Sequence, residues 1–343
     1  MPAEVFMALL EVRDLRVQFH TDDGIVKAVD GVDFTLDRGE TLGIVGESGS
    51  GKSVTCLSIL GLARGGRVSG NAIFQGRDLL KMHPDEMRAI RGKQIAMIFQ
   101  DPLSSLHPYY KVGAQIVEAI LAHEKIPKKD ARKRAIELLG LVGIPRPERR
   151  VDDYPHQFSG GMRQRAMIAM ALSLDPAVLI ADEPTTALDV TVQAQILDLI
   201  ERLQDEFGTA IIMITHDLGV VADMADTVLV MYGGRAVEVA DRRTAYYHPH
   251  MPYTWGLLQS LPAVGAEQEG ERLRPIKGLP PSLIHPPSGC KFHPRCPYVM
   301  DVCSREEPKL LAADPGDPGH LSACHLTLEE KQRIWQQEVA STQ

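Results

Sequence analysis

Residues 46–53 read Gly46-Glu47-Ser48-Gly49-Ser50-Gly51-Lys52-Ser53, the complete pattern G-x-x-x-x-G-K-[ST], between an apolar run TLGIVG and a helical run SVTCLSILGL. No other feature restricts the fold so strongly, because such a turn needs a strand to end and a helix to begin around it. The glycines let backbone N–H groups turn toward phosphate oxygens, and the helix N-terminus adds the positive end of its dipole. Lys52 is spaced to reach the β- and γ-phosphates of a nucleotide, and Ser53 to ligate Mg²⁺. The pattern predicts an α/β fold with a nucleotide cradle at the mouth of its sheet.

The rest of the chain agrees with an α/β class. LEVRDLRVQF, KAVDGVDFTL, TLGIVG and NAIFQG read as strands punctuated by Gly and Asp. From about residue 102 to 174 the periodicity is helical, in KVGAQIVEAILAH, KKDARKRAIELLG and GMRQRAMIAMALSL. VLIAD, TVQAQILDLIERLQDEF, AIIMIT, DLGVVADMA and TVLVMYGGRAVEVA then resume an alternation of strands and helices, which implies a parallel, doubly wound sheet interrupted by a helical insertion. Beyond about Asp241 prolines crowd the chain and four of its five cysteines appear. We therefore expect a nucleotide-binding domain over residues 1–245, its helical subdomain at about 102–174, and a small module over 246–343.

A phosphate loop needs a carboxylate at a neighbouring strand end. VLIADE supplies Asp182 for Mg²⁺, and Glu183, one residue on, can polarise a water. Further along, Phe158-Ser159-Gly160-Gly161-Met162-Arg163-Gln164-Arg165 resembles the signature sequence of ATP-binding cassette (ABC) ATPases, and it is followed, as in that family, by ADEPTTALD, with the D-loop Asp189, and by ITHD with His216. Gln100, ending IAMIFQ, resembles the Q-loop, and the elements stand in the family's order over about residues 9–240. The resemblance implies a P-loop NTPase ABC cassette, with a RecA-like parallel core, an antiparallel β subdomain and a helical subdomain, plus a Cys-rich extension.

The same resemblance implies the roles. Glu183 would be the general base, His216 would contact the γ-phosphate, and Gln100 would sense Mg²⁺ and water; Asp189 would couple two sites. Phe19 takes the place of the aromatic that stacks on adenine, though a strand-end Phe is also an ordinary core residue. Ser159, Gly160, Gly161 and Gln164 would face the ATP of another cassette, since a second helix N-terminus makes a phosphate surface that cannot reach its own P-loop. Partners would then be a homologous ATPase subunit in a heterodimer, two membrane-spanning permease subunits and an extracytoplasmic solute-binding protein. The place of work would be the cytoplasmic face of the cell membrane.

Cys290, Cys296, Cys303 and Cys324 form C-x5-C-x6-C-x20-C in a segment poor in apolar residues, a pattern that suggests a metal staple. The thiols suit Zn²⁺ or an iron-sulfur cluster, with two disulfides or free thiols as alternatives. HPHMPYTWGLLQSLP, GLPPSL and PSGCKFHPRCPYVMDVC resemble the C-terminal extension of the oligopeptide and dipeptide importer ATPases, some of which carry a 4Fe-4S cluster on four such cysteines. The cluster is therefore expected ahead of zinc. His293, His320 and His325 lie nearby, and Cys56, on the helix after the P-loop, reads as a buried small hydrophobe.

Composition sets the outer limits. With 37 Lys and Arg against 45 Asp and Glu, a net charge of −8 argues against nucleic acid as a partner. Five cysteines in 343 residues exclude a disulfide scaffold, and no apolar run reaches the ~18 residues of a membrane span. Between Lys125 and Arg150 nine basic residues meet three acidic ones. That run reads as the solvated face of a helix whose Ile136, Leu138 and Leu139 turn inward, ahead of a lipid or nucleic-acid contact. The expected function is ATP hydrolysis driving peptide import; import of a nickel chelate or sugar, or a non-transport ABC ATPase, are the alternatives.

Overall fold

The computed structural model describes residues 8–101, 105–186, 188–260 and 275–339. Its strands are β1 (Leu10–Thr21), β2 (Gly24–Leu36), β3 (Thr41–Val45), β4 (Gly66–Phe74), β5 (Arg77–Asp78), β6 (Ile95–Ile98), β7 (Val178–Asp182), β8 (Ala210–Thr215), β9 (Thr227–Tyr232), β10 (Arg235–Asp241), β11 (Leu311–Ala312) and β12 (Leu321–Ser322). The chain forms two compact units. One comprises Met1–Leu36, Thr41–Lys81 and Thr215–Gln343, the other Asp37–Glu40 and Met82–Ile214.

In the first unit, β2, β1, β4 and β5 make an antiparallel sheet in that order. Leu10, Val12, Leu15 and Val17 of β1 are buried together with Val29, Val32, Phe34 and Leu36 of β2. The intervening polar positions face outward, as expected of a sheet with one covered face. β3 is buried along its whole length and pairs in parallel with β9. There the alternation of strands and helices ends: β10 returns antiparallel to β9, and β12 and β11 continue antiparallel beyond it. The reason lies in the Gly233-Gly234 link, since two residues close a hairpin whereas a parallel crossover takes a dozen or more.

The described residues after β10 build their core jointly with β9. Tyr253, Trp255 and Leu258 of the helix Pro252–Gln259 share one apolar cluster with Val228, Val230 and Tyr232 of β9, and so do Phe292, Ile334 and Trp335. Burying each large apolar side chain stabilises by about 1.5–3 kcal/mol, and the polar tips are satisfied. Trp255 Nε1 donates to Pro249 O at 2.9 Å and Trp335 Nε1 to Tyr247 O at 2.7 Å.

In the second unit, β6, β7 and β8 are parallel, with Ile95 opposite Val178 and Val178 opposite Ala210. Every residue of VLIAD and AIIMIT is buried, the pattern of strands covered on both faces. Three helices, Val112–Leu121, Lys128–Leu141 and Gly160–Ala171, pack through Ile116 and Ile120, Ala135 and Leu139, and Ala166 and Met167. The basic run is solvated, and Arg132 pairs with Asp152 at 2.6 Å and Arg134 with Asp175 at 2.7 Å. Such exposed pairs contribute little, about 0–1 kcal/mol each. Among the described residues no helix is long and apolar enough to cross a membrane.

Candidate functional site

The phosphate loop of the first unit has the geometry that its glycines predict. Gly46 sits at φ +148° and Gly51 at φ +103°, and a Cβ there would lie 2.2 Å from Met231 O and 2.3 Å from Ala28 O respectively. Only glycine fits at either place. The helix Lys52–Ile59 begins at Gly51 without a side-chain cap, so its N-terminus presents the positive end of the helix dipole to the loop. Lys52 is almost fully buried and donates from Nζ to Gly46 O at 2.6 Å and Glu47 O at 3.0 Å, so it is drawn back along the loop. Ser50 Oγ is buried without a hydrogen-bond partner among the described residues. A buried cation, an orphaned hydroxyl and a cradle that admits no Cβ are the chemistry of an anion site, and a nucleotide phosphate fits it.

Cys56, next on this helix, is fully buried. Phe19, near the end of β1, is half-buried; its ring lies against Gly66, where an added Cβ would be 3.0 Å from Cε1. His216 is exposed just after β8, and Asp217 caps the next helix by accepting from Gly219 N at 2.8 Å.

The second unit holds the carboxylates. Asp182 closes β7 and is 5% exposed. Glu183 adopts φ +47°, a left-handed conformation that costs a non-glycine residue roughly 1–2 kcal/mol and is concentrated at functional sites. The turn is held from both ends. Glu183 N donates to Ile214 O at 2.8 Å, while Gln100 Nε2 and Thr186 Oγ1 both donate to Glu183 Oε2 at 2.8 Å. Gln100 and Glu183 are thus brought together, with Thr186 as a third member that the sequence did not single out.

The signature residues also behave as their spacing predicts at the helix start. Ser159 caps the helix Gly160–Ala171, its Oγ accepting from Met162 N at 3.3 Å, and Ser159 and Gly160 are exposed. Gly161 is half-buried, with a Cβ there 3.0 Å from Val192. Gln164 points inward instead: it is 2% exposed and donates from Nε2 to Pro184 O at 2.6 Å, one residue after Glu183. Asp189 caps the helix Val190–Phe207 by accepting from Val192 N at 2.9 Å.

Two residues of the C-terminal segment reach the phosphate loop without any motif to announce them. Glu47 N donates to Tyr253 Oη at 2.8 Å, and Arg295 forks onto the Glu47 carboxylate at 2.6 and 2.9 Å.

The four-cysteine expectation is overturned. Cys290, Cys296, Cys303 and Cys324 line one cavity of about 20 Å³, but among the described residues no group of three or more His, Cys, Asp or Glu side chains could hold a metal ion. The physical reason is the lining, which includes Met251, Phe292, Tyr298, Met300 and Leu326. Burial pushes the Cys290 thiol up to about 11 and Cys296 up to about 12, and raises Cys324 as well. Burial among apolar side chains thus works against the thiolate form that a metal ligand needs. The histidines are engaged elsewhere: His293 Nδ1 lies 2.9 Å from Cys290 O, His325 Nε2 2.9 Å from Glu306 O and His320 Nε2 2.8 Å from the Glu238 carboxylate. Neither the 4Fe-4S cluster nor the Zn²⁺ alternative is supported, and the relatives described next are named as ATP-binding transport proteins, not as iron-sulfur proteins.

Comparison with known proteins gives the family. A family model described as ABC transporter matches residues 29–186, and a second, described as oligopeptide/dipeptide transporter, C-terminal region, matches residues 237–303. The oligopeptide transport ATP-binding protein OppD of Salmonella typhimurium is 52% identical over 330 residues, covering 96% of each chain. The dipeptide transport ATP-binding protein DppD of Bacillus subtilis is 53% identical over 303 residues, 88% of this chain and 90% of that one. Among solved structures, the dimeric post-hydrolysis state of the ATP-binding cassette MJ0796 bound to ADP and Pi aligns with a TM-score of 0.62 at 26% identity, covering 68% of this chain and 99% of that chain. With its phosphate loop, its carboxylate-bearing turn and these likenesses, the chain belongs to the ABC transporter family, among the ATP-binding proteins that carry the oligopeptide/dipeptide transporter C-terminal region.

Proposed function

We propose that this chain is the ATP-hydrolysing subunit of a multi-subunit importer that carries oligopeptides or dipeptides across the cytoplasmic membrane. The observation that carries this reading is the 52% identity over 96% of both chains to an oligopeptide transport ATP-binding protein.

Each residue has a task that its chemistry suits. The glycine-rich loop from Gly46 to Ser53 and the Lys52 ammonium bind and orient the phosphates, and the half-exposed Phe19 ring offers a face to adenine. Ser53, Asp182 and Gln100 would hold Mg²⁺, which supplies charge neutralisation at the transferring phosphoryl group. Glu183 accepts the proton of the attacking water as general base, and Gln100 keeps its carboxylate aimed. His216 donates toward the γ-phosphate. Most of the rate acceleration comes from positioning and preorganised charge.

The exposed Ser159 and Gly160, with Gly161, make the surface that a second cassette's ATP would complete, and Asp189 couples the paired sites. Gln164 holds the turn at Pro184 from beneath. The second cassette is a homologous subunit in a heterodimer, docked on two membrane-spanning permease subunits that receive peptide from an extracytoplasmic solute-binding protein. The chain itself sits peripherally on the cytoplasmic face of the membrane.

Reconstitution with the permease subunits in liposomes tests the substrate. Peptide-loaded binding protein should raise the ATPase rate and drive peptide accumulation that Lys52→Ala abolishes. Stimulation by a nickel chelate or a sugar, and none by peptides, would overturn the peptide assignment.

A further inference from the structure

The second residue of the phosphate loop, Glu47, is an acid in a place built for anions. Left to itself its carboxylate would repel the phosphates, since like charges a few ångström apart destabilise each other most where water is partly excluded. Arg295 removes that charge from the cradle. Its Nη1 is 2.6 Å from Glu47 Oε2 and its Nη2 2.9 Å from Oε1, the two-pronged geometry that only a guanidinium provides.

The guanidinium is itself fixed. Its side chain is 4% exposed. Nε donates to Lys277 O at 3.0 Å, Nη2 also to Ile276 O at 3.3 Å and Nη1 to Tyr232 Oη at 3.3 Å. On the same residue, the Glu47 N–H is held by Tyr253 Oη at 2.8 Å, and Tyr253 is fully buried in the apolar cluster. Side chain and main chain of Glu47 are therefore gripped from a segment more than 200 residues further along the chain.

We propose that Arg295 is a positioning residue for ATP binding: together with Tyr253 it turns the Glu47 carboxylate away from the phosphates, neutralises it and holds the loop in its binding conformation before nucleotide arrives. The C-terminal segment is then a brace of the phosphate loop. This proposal rests on the ATPase reading for its consequence but not for its geometry.

Full-length Arg295→Gln provides the test, with two readouts. Without nucleotide, amide exchange over residues 46–51 should quicken at least tenfold. The ATP Kd should rise about tenfold or more, as expected when a hydrogen-bonded charge pair is broken on one side. Glu47→Gln added to Arg295→Gln should restore most of the affinity, because the charge that needed neutralising is gone; Arg295→Lys, which keeps charge but not the fork, should fall between, and it serves if Arg295→Gln does not fold. Loop exchange and ATP affinity both within twofold of wild type would overturn the brace. So would a double variant that binds ATP as weakly as Arg295→Gln, since that result belongs to general loss of packing. If the wild-type chain binds no ATP, the functional reading falls, while loop exchange alone still decides the brace.

Discussion

Gln100 Nε2 donates to Glu183 Oε2 at 2.8 Å, and this single hydrogen bond joins the end of one strand to the acid at the end of its neighbour. Glu183 already spends conformational energy on a left-handed backbone, so its side chain is aimed by the turn and steadied by Gln100 and Thr186.

Removing the steadying amide should therefore affect chemistry more than binding. Gln100→Ala is expected to lower kcat for ATP hydrolysis about tenfold to a hundredfold, because a misaimed general base loses much of its contribution. The ATP Kd should change less than about threefold. Steady-state hydrolysis and equilibrium nucleotide binding, measured on the same preparation, separate the two.

Gly51→Ala should be severe for a steric reason. The added methyl would meet Ala28 O at 2.3 Å, at a φ of +103° that an L side chain rarely adopts. The loop must shift, and stability should fall by more than about 1 kcal/mol. Nucleotide binding should be lost with it, whereas Gly49→Ala meets nothing within 4 Å and carries only the backbone strain at φ +78°. Thermal unfolding and a fluorescent-nucleotide titration of both variants check the ranking.

Acid should weaken the first unit through His250. This imidazole is 6% exposed, stacks on His320 with ring centroids 3.9 Å apart, and has Nδ1 without a hydrogen-bond partner among the described residues. Burial, and secondarily His320, push it down to about 3. The unfolded chain, protonating its histidine near 6.5, binds more protons than the folded one between those two values. Stability is therefore full above about pH 6.5 and declines as pH falls toward 3, by at most about 1.4 kcal/mol per pH unit from this one group. Denaturant unfolding at pH 7 and pH 5 should show a loss that His250→Phe, which keeps the stacked ring, reduces; an equal loss in both proteins would contradict the assignment.

How much of this was legible in the sequence depended on distance along the chain. The phosphate loop, the strand end at Asp182 and the cap at Ser159 are local patterns, and each was found where its spacing placed it. An alternation of strands and helices implies parallel strands throughout, whereas the two-residue Gly233-Gly234 link turns β10 antiparallel to β9. The place of Gln164 beside the signature predicts that it faces another cassette, whereas the helical turn points it at Pro184. The grip of Arg295 on Glu47 spans 248 residues and follows no periodicity. The four cysteines misled because spacing shows which thiols can meet, not whether their surroundings favour thiolate; burial among Met, Phe and Tyr favours thiol.

The catalytic role proposed for Glu183 can be tested directly in Glu183→Gln. This change keeps the shape of the side chain and its contact with Gln100 while removing the base. ATP turnover should fall at least about a hundredfold, as expected for loss of a general base, while ATP is still bound and, in the assembled transporter, retained unhydrolysed. Hydrolysis by Glu183→Gln at the wild-type rate would contradict the assignment of Glu183 and with it the reading of this turn as the catalytic centre.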